Sequence, residues 1–130
     1  MILLNDSESF EKIWQRVLGI SDRPTARTFA VEFELISNPV YPMPYLKELL
    51  EICKDKSLFM GIISNAQFYT PYIFEFFLGS DLLSLGFQSE LILFSYQFGY
   101  AKPSLQLFQT AVDKLIEKNV SSRKVLYVGN

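Results

Sequence analysis

The sequence predicts an α/β fold in which parallel strands alternate with helices, preceded by a small helical segment. Three short apolar runs indicate the strands: residues 58–63, 91–94 and 125–128. Each run is apolar on both faces, as strands are when helices cover both sides of a parallel sheet. Stretches with apolar residues at helical spacing lie between the runs, and this alternation is typical of βαβ units.

Two helices are predicted before the first run. The apolar stripe of the first helix consists of Phe10, Ile13, Trp14, Val17 and Leu18. Its candidate N-cap residues are Asn5, Asp6 and Ser7. The second helix is predicted to begin at Pro24, because proline suits the first helical position. Its stripe consists of Phe29, Phe33 and Ile36.

A proline-rich segment, NPVYPMP, covers residues 38–44. Each proline biases the residue before it towards extended backbone, so this segment cannot continue a helix. We place a hinge there. The predicted organisation is therefore a partial helical cap over residues 1–40 and a partial α/β core over residues 41–130.

Three further helices are predicted after the hinge. The helix near residues 44–56 places Cys53 on a stripe with three leucines, which favours a buried thiol over a nucleophile. The next helix lies in the seventies, with the stripe Ile73, Phe74, Phe76 and Phe77. The last begins at Pro103 and carries Lys102 beside its first turn, where a cation is disfavoured unless an anion or carboxylate lies close by.

The composition excludes several classes of function. The chain has 130 residues, of which 49% are hydrophobic and 15% aromatic, enough for one domain with a core. Twelve basic and fourteen acidic residues give a net charge of −2 without a basic stripe, which argues against a nucleic-acid partner. Apolar runs fall well short of the ~20 residues that cross a bilayer, so we expect no membrane partner.

Histidine is absent from the sequence, and there is one cysteine. Histidine-based acid/base catalysis, Ser–His and Cys–His nucleophiles and histidine-ligated metals are therefore excluded within this chain. A single cysteine cannot form an intrachain disulfide, which fits a reducing, cytoplasmic location.

The residues that follow the apolar runs are expected at the edge where parallel sheets bind ligands. These residues are Ser64, Asn65 and Ala66 after the first run, Lys102 after the second, and Gly129 and Asn130 after the third. A serine hydroxyl, the N–H groups of the two following residues and a lysine ammonium together suit a phosphate. We therefore predict that Ser64, Asn65, Ala66 and Lys102 bind phosphate.

Each main residue also has a purely structural interpretation. Ser64 could cap a helix, with Gln67 completing a Ser-x-x-Gln capping box. Lys102 could be an ordinary solvated side chain. The occurrence of both residues after predicted strands favours the functional interpretation.

The stretches GIISNAQ, GYAKPSLQLF and VLYVGN resemble motifs two, three and four of the haloacid dehalogenase (HAD) superfamily. The stretch YPMPYLKELLEICKDKSLFMGIISNA also resembles the lead-in helix and second strand of that family. The resemblance covers roughly residues 41–130. It implies an incomplete HAD-like, Rossmann-like parallel sheet with flanking helices, and part of a helical cap.

The resemblance also implies a mechanism and site residues. Family members use an aspartate nucleophile from an Asp-x-Asp motif, a second aspartate as general acid/base, and Mg²⁺. Ser64 matches the catalytic residue that hydrogen-bonds the phosphoryl oxygen. Lys102 matches the catalytic residue that orients the nucleophile and offsets its charge. The implied function is a Mg²⁺-dependent phosphatase that acts on a small phosphorylated metabolite through an aspartyl-phosphate.

The sequence departs from the family in two respects, because it contains no Asp-x-Asp motif and ends at Asn130, before the acidic residue of motif four. We therefore expect a partial chain whose nucleophile, general acid and metal ligands lie outside it, and which is inactive alone. Two alternatives stay open: a non-catalytic module stable only in an assembly, including a homo-oligomer, and a dehalogenase that attacks carbon.

Overall fold

The computed structural model describes residues 10–129, so the predicted N-cap residues Asn5, Asp6 and Ser7, and Asn130, lie outside it. The element order is α1 (Phe10–Leu18), α2 (Arg23–Ser37), α3 (Leu46–Asp55), β1 (Met60–Ser64), α4 (Thr70–Leu78), β2 (Phe87–Phe94), α5 (Ser95–Phe98), α6 (Leu105–Glu117) and a 3₁₀ turn, Ser122–Lys124. The described chain is thus mixed α/β.

Helices α1 and α2 pack against each other through an aromatic cluster. The Trp14 ring lies 4.9 Å from the ring of Phe29 and 4.8 Å from that of Phe33, measured between centroids. Helix α2 begins at Arg23, one residue before the predicted start at Pro24. The Asp22 carboxylate accepts a hydrogen bond of 2.8 Å from the Thr25 N–H and satisfies a free donor of the first turn.

The proline-rich segment contains no helix or strand over residues 38–45 and separates α2 from α3. This is the expected effect of three prolines on the backbone. The division into a cap over residues 1–40 and a core over 41–130 stays a prediction.

Strands β1 and β2 form a two-stranded parallel sheet, which confirms the predicted strand direction for these two runs. Ile62 lies opposite Ile92, and Ser64 lies opposite Phe94. The register shifts between Met60 and Ile62. The carboxyl ends of both strands therefore lie at the same edge of the sheet.

Gly61, at this register shift, allows the two strands to approach closely. A Cβ atom at Gly61 would lie 2.8 Å from the Cβ of Leu91 and 3.0 Å from its backbone oxygen. Any side chain there would have to push the strands apart.

The core contains two small clusters of buried residues, and Phe74, Leu85 and Phe87 pack against both of them. One contains Leu50, Met60 and Leu78, and the other contains Ala66, Leu82 and Phe94. Cys53 is half-buried against the first cluster, as expected for a core thiol. Phe76 does not belong to either cluster. Its side chain is 81% exposed, so the predicted stripe on α4 is wrong at that position.

The third apolar run is not a strand, contrary to the prediction. Residues 125–129 have no regular secondary structure, and within residues 10–129 the sheet contains β1 and β2 alone. The Tyr127 ring instead packs on Phe108 of α6, 5.5 Å between centroids. The side chains of Leu126 and Val128 are 85% and 81% exposed. The run therefore does not pair with a strand of the sheet and does not bury its apolar side chains as predicted.

Helix α6 begins later than predicted. Its N-cap is Ser104, whose side chain accepts a hydrogen bond from the Gln106 N–H, and its first residue is Leu105. Lys102 therefore precedes the helix instead of lying at its first turn. At the other end of α6, Lys118 forms a salt bridge with Glu90 and ties the helix to β2.

Candidate functional site

Ser64 is the last residue of β1 and is half-buried. Its hydroxyl has no hydrogen-bond partner among residues 10–129. It does not cap α4, which begins at Thr70, and the Gln67 N–H donates to the Thr70 hydroxyl over 3.1 Å. The capping-box interpretation of Ser64 is therefore wrong, and the hydroxyl is available to a ligand.

Asn65 joins two loops at the carboxyl end of the sheet. We name residues 65–69 the β1 loop and residues 99–104 the lysine loop. The Asn65 side-chain oxygen accepts a hydrogen bond of 2.6 Å from the Lys102 N–H. Its amide nitrogen donates to the Lys102 carbonyl over 3.0 Å. The structure thus joins the lysine loop to the β1 loop, which directly follows Ser64, through two residues that are 37 positions apart in the sequence.

The Lys102 ammonium lies 3.5 Å from the Tyr127 hydroxyl. Among the described residues it forms no salt bridge, so the carboxylate that we expected near it is not found there. Tyr127 is a site residue that sequence reasoning missed, because its run was interpreted as a strand. A hydroxyl is a neutral partner, so it leaves the positive charge of Lys102 uncompensated.

Ala66 does not present a free N–H, contrary to the prediction. It is 4% exposed, and its N–H donates to the Ser95 hydroxyl over 3.1 Å. The same hydroxyl donates to the Ala66 carbonyl over 3.2 Å. Ala66 therefore does not offer its backbone to an anion, and Ser95, a buried residue of α5 absent from our predictions, fixes the β1 loop instead.

A cavity of about 480 Å³ lies beside the β1 loop. It is bounded by the end of α2, residues 40–43, the start of α3, the β1 loop and α4. Asn65 lines this cavity and also holds the lysine loop, so the cavity adjoins the candidate site. Sequence reasoning missed the cavity, because its walls come from segments whose patterns indicate only separate helices.

The cavity walls are mainly apolar, and the residues that line it include Glu34 of α2 and Tyr69 of the β1 loop. Burial is the larger cause, and the negative charge of Glu34 the smaller, of the rise of the Tyr69 pKa to about 12. The Tyr69 phenol is therefore neutral at physiological pH. Glu34 accepts a hydrogen bond of 2.8 Å from the Asn38 side chain.

Residues 10–129 contain neither a candidate metal site nor a candidate membrane span. No group of three His, Cys, Asp or Glu residues there could hold a metal ion, so the residues present do not fit the Mg²⁺ site that the resemblance implies. No helix there is both long enough and apolar enough to cross a membrane.

Comparisons with family models, curated proteins and solved structures found no match to this chain.

Proposed function

We propose that the β1 loop and the lysine loop form the phosphoryl-binding part of a HAD-like hydrolase, most simply a phosphatase that acts on a small phosphorylated metabolite. One observation carries the proposal: Asn65 binds both backbone groups of Lys102 at the carboxyl end of two parallel strands. Ligands of open α/β sheets bind at this edge.

The chemistry of the two side chains supports the proposal. The Ser64 hydroxyl can donate a hydrogen bond to a phosphoryl oxygen, because it has no partner within the described chain. The Lys102 ammonium is a compact charge that suits phosphate, and the Tyr127 hydroxyl beside it does not neutralise that charge. Together they would offset the charge that develops on a transferring phosphoryl group.

This chain supplies positioning and charge, and the nucleophile comes from elsewhere. The sequence contains no Asp-x-Asp, so an aspartyl-phosphate has to form on a segment outside these residues. Mg²⁺ would likewise need ligands from outside the described residues. The role of Lys102 would be to orient the nucleophilic carboxylate. The single cysteine suits a reducing cytoplasm, in which we place the protein.

Titration with inorganic phosphate, followed by calorimetry, tests the binding step in this chain. Lys102→Ala should weaken phosphate binding by about tenfold or more, because a hydrogen bond to a charged group contributes about 1.5–3 kcal/mol. Ser64→Ala should weaken it by a smaller factor. Lys56→Ala, which removes an exposed lysine at the end of α3, is the control. Equal phosphate affinity in the Lys102 and Lys56 variants would refute the proposal.

A second experiment tests the reaction. The sequence of the flanking DNA should encode Asp-x-Asp upstream and an acidic residue just after Asn130. In a protein that contains that motif, Lys102→Ala should abolish hydrolysis of a generic phosphoester. Hydrolysis of a 2-haloacid but not of a phosphoester would identify the dehalogenase alternative instead. Stop codons on both sides of the present sequence would count heavily against a HAD-like enzyme.

A non-catalytic interaction module is a second candidate, favoured by large apolar side chains at the surface. Four of these side chains are more than four-fifths exposed: Ile36, Phe76, Leu126 and Val128. Exposed apolar patches are typical of protein interfaces. Size-exclusion chromatography with light scattering separates the candidates, because a homo-oligomer supports the module and a monomer with cooperative melting contradicts it.

A further inference from the structure

We infer that the cavity beside the β1 loop binds an organic cation with an apolar body, such as an arylalkyl ammonium group. Glu34 is the one charged side chain among the described residues that line it. At about 480 Å³ the cavity is of the size that holds small organic ligands. The inference does not depend on phosphoryl chemistry at Lys102.

Aromatic rings form much of the cavity wall: Tyr41, Tyr69, Phe74 and Phe77. The Tyr41 and Phe77 rings lie 6.2 Å apart between centroids, so they form a continuous apolar surface. The face of an aromatic ring carries partial negative charge and attracts a cation within about 6 Å of its centre. Such walls therefore bind the hydrocarbon part of a ligand and tolerate a positive charge near it.

The Glu34 carboxylate gives this apolar cavity a negative charge. It is half-buried, and the Asn38 side chain donates to one of its oxygens over 2.8 Å, which fixes its position at the wall. We find no salt bridge from Glu34 to a lysine or arginine within the described residues. A carboxylate in such surroundings repels anions and attracts an ammonium group.

The neighbouring tyrosine does not add a second negative charge. The pKa of Tyr69 is raised to about 12, so its phenol is protonated at neutral pH. The cavity and Lys102 therefore have opposite preferences. An anion is favoured at the lysine loop, whereas a cation is favoured between α2 and α4.

Three ring compounds of similar shape and different charge test the inference at pH 7: benzylamine, benzyl alcohol and benzoate. Calorimetry or NMR titration of the unmodified chain should show the order benzylamine, then benzyl alcohol, then benzoate, from tightest to weakest. Glu34→Gln should weaken benzylamine binding by about tenfold, which corresponds to about 1.4 kcal/mol, and leave benzyl alcohol binding unchanged.

Two matched controls separate the cavity from the rest of the surface. Glu32→Gln removes an exposed carboxylate of the same helix that does not line the cavity, and should change nothing. Phe77→Ala should weaken both benzylamine and benzyl alcohol, whereas Phe76→Ala, at an adjacent exposed ring outside the cavity, should not.

Three results would each overturn the inference: no benzylamine binding, benzoate binding as tight as benzylamine binding, or equal losses in the Glu34 and Glu32 variants. If circular dichroism shows that a variant is unfolded, the three compounds of different charge still test the cation preference of the cavity in the unmodified chain. Lys102→Ala should keep benzylamine binding while it loses phosphate, so failure of the phosphatase proposal would leave this result intact.

Discussion

The two hydrogen bonds between Asn65 and Lys102 give a quantitative prediction. Asn65→Ala removes both of them, one of 2.6 Å and one of 3.0 Å. Each neutral hydrogen bond contributes about 0.5–1.5 kcal/mol, so docking of the lysine loop should lose about 1–3 kcal/mol. This change increases the opening equilibrium of the loop by roughly 5- to 150-fold.

Amide hydrogen exchange by NMR measures this opening directly, because exchange of the Lys102 N–H requires its hydrogen bond to break. We expect exchange of this amide to accelerate by the factor above in Asn65→Ala, while amides in the middle of α6 keep their rates. Asn65→Asp is the matched control. Its carboxylate still accepts from the Lys102 N–H but cannot donate to the Lys102 carbonyl, so that amide should keep part of its protection.

Two outcomes would refute this reasoning. If the Lys102 amide exchanges at the same rate in Asn65→Ala and the unmodified chain, the side chain of Asn65 does not hold the loop. If Asn65→Asp loses as much protection as Asn65→Ala, the loss comes from a general disturbance of the β1 loop.

The remaining predictions concern the sheet and its supports. Gly61→Ala would place a Cβ 3.0 Å from a backbone oxygen of β2. Urea unfolding should therefore show a decrease of about 1–3 kcal/mol in the free energy of unfolding. An unchanged urea midpoint would mean that the two strands can move apart at no cost. Ser95→Ala leaves a buried N–H and C=O of the β1 loop unpaired and should cost about 1–3 kcal/mol, whereas Ser89→Ala at an exposed position of β2 should cost little. The hydrogen bond from Lys118 is the main cause of the drop in the Glu90 pKa from 4.5 to about 2. The folded state therefore favours the ionised form of Glu90. The stability that this carboxylate contributes is present above pH 4.5 and is lost as the pH falls towards 2. Glu90→Gln should remove this part of the pH dependence of the free energy of unfolding. If the pH profiles of the variant and the unmodified chain superimpose, the prediction is wrong.

Local pattern was sufficient to predict most of the helices and the two paired strands. The runs that became β1 and β2 are apolar on both faces, and each pairs with the other. The run at residues 125–128 has the same pattern but forms no strand, because a strand also needs a neighbouring edge to pair with. Pattern reports what a segment can bury and does not report whether a partner is present.

The candidate site was predictable in part for the same reason. Ser64 and Lys102 could be proposed because each follows an apolar run. The contact of Asn65 with the backbone of Lys102 could not, since it joins residues 37 apart through a side chain that has many other possible partners. Ser95 was missed as well, because it lies in a four-residue helix that leaves no periodic signal.

The two hydrogen bonds from Asn65 that hold the lysine loop are made to the backbone of Lys102 and not to its side chain. Loop placement and charge are consequently independent variables at this position. Arginine, methionine or alanine can replace the lysine without loss of the two hydrogen bonds to Asn65, so a series of substitutions would vary the charge while Asn65 still holds the loop.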